Sequence, residues 1–314
     1  MSATVAGGQV VGEVLRDEVA TATRRRRPVR WPRVALHTFL ISTAIVMIMP
    51  IALAFYASLR PYGETSSRKG GLFTLPKKLS FQNYSDAFKQ GEMGRHLWVT
   101  FLIVVPALIL TLLLASFVAF AVSRYSFRFN LVLLMLFTAG NLMPQQVIIL
   151  PLFQIYSRIP LPASISPHSG HLNNTIYGLV VIHIAFQIGF CTFVLSNYMK
   201  TIPKELGEAA SVDGASVPKQ FFRVILPICK PALAALATLE FTWIYNDFFW
   251  AVTLVSRGDQ RPITSSIKNL SGQFLTDDNL VAAGSLMIAL PTLIVYLILQ
   301  KQFISGLTLG ANKG

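Results

Sequence analysis

Six stretches of this chain are long and apolar enough to cross a lipid bilayer, and that constrains its fold more than anything else. They cover residues 34–59, 97–122, 131–155, 175–198, 231–255 and 280–303. A spanning helix needs roughly 20 mainly apolar residues. Because lipid offers backbone groups no hydrogen-bond partners, spanning segments of this length must be helical. The expected fold is therefore an all-α, polytopic membrane protein with six transmembrane helices. Only 13% of the residues are charged, against about 25% in soluble domains.

An even number of spans puts both termini on one side of the membrane. Residues 1–33 form a polar tail with the run Arg24 to Arg27 followed by Arg30 and Arg33. Basic residues close to span ends mark the cytoplasmic side. With this tail inside, 16 of the 27 Lys and Arg lie inside, among them Arg124 and Arg128 in a short inner turn. The expectation is a cytoplasmic N-terminus and C-terminus, a basic tail over 1–33 and a transmembrane domain over 34–314. The first apolar stretch starts late and is longer than a signal-peptide core, so no cleaved leader is expected. A net charge of +13 in a soluble chain would point to nucleic acid. Here the Arg clusters are better read as topology signals and lipid-headgroup contacts.

Polar residues interrupt several spans. In the third, Asn141, Pro144, Gln145, Gln146 and Pro151 predict a kink or unwound turn, because Pro removes a backbone donor and clashes with the preceding turn. Asn141 and Gln145 are candidates to line a solute path. The fifth span carries Glu240 and the aromatic stretch Trp243 to Trp250, with Asn246 and Asp247 inside it. Ionisable groups within a span are costly and default to a functional reading. Two accounts of Asn246 and Asp247 stay open: they line a solute path, or Asp247 anchors the span at the outer interface. His183 and Gln187, four apart in the fourth span, read as a helix–helix hydrogen-bonding pair. The outer loop 158–174, with His168 and His171, reads as a solvated loop. It has no ligand set for a metal, and Cys191 and Cys229 read as small buried hydrophobes.

Between the fourth and fifth spans lies a polar loop, 200–227. Lys204 to Val212 read as a short helix, Asp213-Gly214 as a turn, and Ser216 as the cap of a second helix with Pro218 in its first turn. Two short amphipathic helices joined at a Gly suit docking onto another protein. The spelling adds more. Glu208-Ala209-Ala210, then Gly214 four residues on, then Val224-Ile225-Leu226-Pro227 resembles the EAA motif of bacterial ABC-importer permeases, with Val224 where the motif has Ile. The ending Gly306-Leu307-Thr308 with Gly310 and Lys313 is similar to the tail of carbohydrate permeases of the maltose-permease G type. The resemblance covers about residues 34–314.

That resemblance implies the transmembrane subunit of a type I ABC importer for a carbohydrate, a di- or oligosaccharide, in the bacterial cytoplasmic membrane. It implies Glu208, Ala209, Ala210, Asp213, Gly214, Leu226 and Pro227 as a coupling surface for an ATPase, and a tail contact through Gly306, Leu307, Thr308, Gly310 and Lys313. It implies as partners a second homologous permease, two copies of an ABC ATPase and an extracytoplasmic solute-binding protein, with no nucleic acid. The chain has no Gly-rich GKS or GKT phosphate loop, so no catalytic residues, metal or cofactor are expected on it; ATP and Mg belong to the partner. A polyol or a glycerol phosphodiester is the alternative solute. An ion-coupled secondary transporter, with Glu240 and Asp247 as its carboxylates, is the rival class, though it leaves the loop and tail spacings unexplained.

Overall fold

The computed structural model describes residues 31–65, 78–125, 127–270 and 277–308. The Arg24–Arg27 run and the tail residues Gly310 and Lys313 lie outside the described residues. The chain divides into two units, Met1–Leu53 and Ala54–Gly314. The first unit contributes most of α1 (Trp31–Ser58), a single apolar helix with Pro50 inside it. Everything below concerns the second unit.

Its elements are helical throughout the described residues. They are α2 (Gln82–Gln90), α3 (Met93–Arg124), α4 (Asn130–Leu142), α5 (Ile149–Tyr156) and α6 (Ile176–Lys200). The loop helices α7 (Glu205–Val212) and α8 (Val217–Ile228) follow, then α9 (Lys230–Tyr245), α10 (Phe249–Leu254) and α11 (Asp278–Thr308). Counting α1, four helices can cross a membrane unbroken, and the number rises to six if each of two bent pairs is one span.

The most extensive helix pair is α3 against α6. Along α3, Ala107, Thr111, Ala115 and Ala119 recur every fourth residue and are each fully buried. Residues at this spacing share one helix face. In lipid, where no hydrophobic force drives helices together, small side chains allow the close approach on which dispersion packing depends. The core has two parts. One gathers Met93, Ile103, Leu179, Ile182, Tyr245, Trp250 and their neighbours. The other joins Phe120, Cys191, Leu195 and Met199 to Phe221 and Ile225 from the loop helix α8.

The third span breaks where the prolines predict. α4 stops at Leu142, a 3₁₀ turn covers Gln145–Ile148, and the direction changes by 91°. The fifth span departs from expectation. Residues 231–255 do not form one helix: α9 has 16 residues, about 24 Å at 1.5 Å per residue, and the chain unwinds at 246–248 before α10. Asn and Asp side chains compete with helix hydrogen bonds by bonding the nearby backbone. Here the Asp247 carboxylate accepts the N–H of Trp250 (3.2 Å) and of Ala251 (3.1 Å), starting a new helix. The Asn246 amide donates back to Thr242 O at 2.8 Å.

The outer loop is more ordered than a solvated loop would be. Leu161 N–H donates to Gly170 O (2.8 Å) and Leu172 N–H to Ile159 O (3.0 Å), while Ser166 and Leu172 are buried.

Candidate functional site

Two regions gather the residues singled out from the sequence. The first is a cavity of about 460 Å³ between the bent third span, α6 and the α9–α10 break. The bend contributes Asn141 and Gln145. From α6 come His183, Phe186, Gln187 and Phe190, spaced i, i+3, i+4 and i+7 so that they share one face. From the broken fifth span come Trp243, Asp247 and Trp250.

Aromatic contacts hold the walls together. Phe190 meets Trp243 at 5.3 Å between ring centroids, and Phe186 meets Trp250 at 5.2 Å. Gly189 on α6 lets α4 come close: a Cβ there would lie 2.6 Å from Asn141 Nδ2 and 2.7 Å from Phe137 O. The absence of a side chain at this one position therefore sets where Asn141 enters the wall.

The cavity combines amides, one imidazole and one carboxylate with aromatic faces. His183 Nε2 lies 3.7 Å from Asp247 Oδ2, and both side chains are largely buried. A helix–helix hydrogen bond was expected at His183 without a named partner; nothing local signals a contact with Asp247, 64 positions away. Of the solute-path candidates, Asn141, Gln145 and Asp247 are brought together here. Asn246 is exposed and is not in the cavity wall. The Asp247 carboxylate also accepts N–H groups in the first turn of α10. Glu240 sits elsewhere, fully buried, accepting the Cys191 thiol at 3.1 Å on Oε1.

The second region is the loop. Lys204 precedes α7, Gly214 takes φ +75°, and α8 opens after Ser216. Ser216 occupies the N-cap position without making a side-chain hydrogen bond, so that expected cap is absent. Pro218 stands in the first turn as expected. Glu208, Ala209, Asp213 and Gly214 are exposed, with Ala210 half-buried. Around them Leu206, Val212, Val217 and Phe222 present apolar surface, Val212 at 88% exposure.

On its other side the loop is tied to the bundle. Phe221 is buried and packs on Phe117 (4.8 Å) and Phe120 (5.2 Å) of α3. Residues 221–225 form a π-helical turn, and Leu226 and Pro227 follow it. At the end of α3, Arg124 Nη1 donates to Ile202 O (3.2 Å) and to Pro203 O (3.4 Å), fastening the start of the loop to the same helix. The sequence reading took Arg124 as a topology signal alone. In the tail, α11 runs on through Gly306, Leu307 and Thr308.

The sequence profile of the family described as binding-protein-dependent transport system inner membrane component matches residues 111–303. This stretch includes both regions. A "probable ABC transporter permease protein" of Pyrococcus horikoshii is 31% identical over 268 residues, 85% of this chain and 92% of the relative. A "melibiose/raffinose/stachyose import permease protein" of Bacillus subtilis is 29% identical, over 86% of this chain and 93% of its own length. Among solved structures, a bacterial ABC transporter "involved in the import of the acidic polysaccharide alginate" has a chain that superposes with a TM-score of 0.73 at 21% identity. It covers 88% of this chain and 98% of that one.

Proposed function

We propose, from the premise that this chain belongs to the family of binding-protein-dependent transport system inner membrane components, that it is the permease subunit of an ATP-driven importer moving a carbohydrate into the cell. The observation that carries the reading is the joint presence of the family match over residues 111–303 and a cavity walled by aromatic rings and amides. A sugar must exchange its water hydrogen bonds for protein ones, so its path needs polar side chains among apolar walls. Sugar-importing relatives such as the melibiose/raffinose/stachyose permease support the solute class.

On this reading the chain is a non-catalytic subunit that binds no cofactor. ATP and Mg are held by two ATPase subunits, a second homologous permease completes the path, and a solute-binding protein delivers the sugar from outside. The exposed apolar and acidic face of the loop, with Glu208, Ala209, Ala210, Asp213 and Gly214, and the following Leu226-Pro227, docks the ATPase. The C-terminal residues 306–313 contact the same partner. ATP-driven closure of the ATPase pair biases one access state over the other, which requires different affinity for the two states.

In proteoliposomes holding the chain with its co-purifying subunits, labelled sugar should accumulate only with internal ATP and added binding protein. Asn141→Ala and Gln145→Ala should each lower the rate per assembled complex about 3- to 10-fold, the worth of one hydrogen bond. Asn246→Ala, outside the cavity wall, should stay within about twofold, since substitutions clear of a site rarely exceed ±0.5 kcal/mol. Accumulation without ATP would overturn the reading, and unchanged rates in the first two variants would take the cavity off the path.

On this reading both termini and residues 200–227 face the cytoplasm, which the basic residues of the N-terminal tail and of the turn at Arg124 and Arg128 support. Single cysteines at Ser169 and Ser211 in a cysteine-free background separate the two orientations. An impermeant thiol reagent applied to intact cells should label the first and spare the second. The reverse pattern would invert the topology.

A further inference from the structure

The cavity has a sign. Among the described residues its wall contains no Lys or Arg, and its one carboxylate, Asp247, is held by backbone hydrogen bonds. Both Asp247 oxygens accept backbone N–H groups, from Trp250 at 3.2 Å and Ala251 at 3.1 Å, and Oδ2 also faces His183 Nε2 at 3.7 Å. Rotating the carboxylate out of the wall would break both of these bonds. The other polar groups in the wall, Asn141, Gln145 and Gln187, are neutral amides that both donate and accept. Such a set matches hydroxyl groups, which also do both.

We infer that this cavity selects uncharged sugars and rejects anionic ones, with Asp247 as the specificity-determining residue. The inference rests on the carbohydrate reading above and narrows it. An anionic sugar entering the cavity would bring its carboxylate within about 6 Å of Asp247. At an effective dielectric of about 20, that repulsion is worth roughly 100-fold in affinity. No Lys or Arg among this chain's described wall residues offsets it. A phosphodiester solute meets the same barrier, which disfavours the glycerol phosphodiester alternative. The likeness to an alginate importer does not argue the other way. At 21% identity the two share a fold, and charge preference resides in individual side chains lining the path.

The cavity carries its own reporter, since Trp243 and Trp250 are two of the chain's four Trp. The test titrates the full-length chain, purified with the subunits that co-purify, with raffinose and maltotriose as neutral probes and trigalacturonate as the anionic probe. The readout is tryptophan quenching, with binding to the Trp243→Phe/Trp250→Phe variant subtracted. A neutral probe should bind at least about 30-fold more tightly than trigalacturonate. Asp247→Asn should shrink that ratio. If loss of the cap prevents this variant from assembling, Gln187→Lys, which adds a cation to the wall without touching the cap, should shrink it as well. Equal affinities in the wild type, or a ratio unmoved by every variant that assembles, would overturn the inference while leaving the carbohydrate reading intact. Tighter binding of trigalacturonate would overturn it too. Quenching by none of the three sugars would overturn the inference, while the carbohydrate reading stands or falls by the uptake assay.

Discussion

Glu208→Lys and Gly214→Asp are expected to leave the chain in the membrane at wild-type level and to abolish sugar uptake, with weaker association of the ATPase. Gly214 has φ +75°, where a side chain costs roughly 1 kcal/mol. A Cβ there would meet nothing within 4 Å, so the penalty is backbone strain at the turn between α7 and α8 and not a clash. It is too small to unfold the bundle, yet it acts on the angle between the two helices. Glu208 is exposed on α7 and contributes nothing to the buried core, so reversing its charge should spare folding. Its effect falls on the face proposed to dock the ATPase, where losing or reversing a charge that meets a partner costs affinity. Membrane level by immunoblot, uptake of labelled sugar and ATPase co-purification read the three quantities separately. Normal uptake in both variants would remove the coupling role from this loop.

Phe221→Ala is expected to be the most destabilising change in the loop. Phe221 is 2% exposed and stacks on Phe117 while meeting Phe120 edge-on. Truncating a buried Phe costs about 3–5 kcal/mol, because transfer energy is lost and a cavity remains. For a chain of this size that should lower the melting temperature by roughly 5–10 °C. Its neighbour Phe222 is 48% exposed, and Phe222→Ala should cost about 1 kcal/mol or less. Melting of the detergent-purified protein, followed by size-exclusion fluorescence, compares the two. A Phe221→Ala protein that melts with the wild type would mean that the loop is not fastened to α3 through this ring. The comparison also separates two ways of losing transport: detaching the loop from the bundle, and spoiling the surface it offers outward.

The long spans were legible because hydropathy over about 20 residues is a local property of the sequence. So was the break in the third span, since Pro acts through its own backbone. The fifth span was misread for a related reason. An Asn-Asp pair inside a hydrophobic window barely changes the average, although one carboxylate accepting two N–H groups is enough to start a new helix. The loop's two helices and its turn were readable from Pro218 and Gly214, but the Arg124 bond to Ile202 O spans 78 positions and leaves no periodic trace. The cavity was legible in part. Asn141, Gln145 and Asp247 stood out as polar residues in apolar runs. Phe186 and Phe190 did not, being apolar residues in an apolar helix, although their spacing from His183 and Gln187 placed all four on one face.

The right-angle turn between Leu142 and Gln145 bears on hydration. A helix that stops at membrane depth leaves its last carbonyls and the next segment's first N–H groups without intrahelical partners. Hydrocarbon cannot supply replacements, so such a turn persists only beside protein or water. It opens onto a cavity whose wall carries amides, an imidazole and a carboxylate among aromatic rings, groups able to hydrogen-bond water. A sugar arriving there need not shed its whole hydration shell at one threshold; it can trade waters for side chains a few at a time. On the importer reading, water held there would also conduct, so the barrier to protons and small ions belongs to another section of the path.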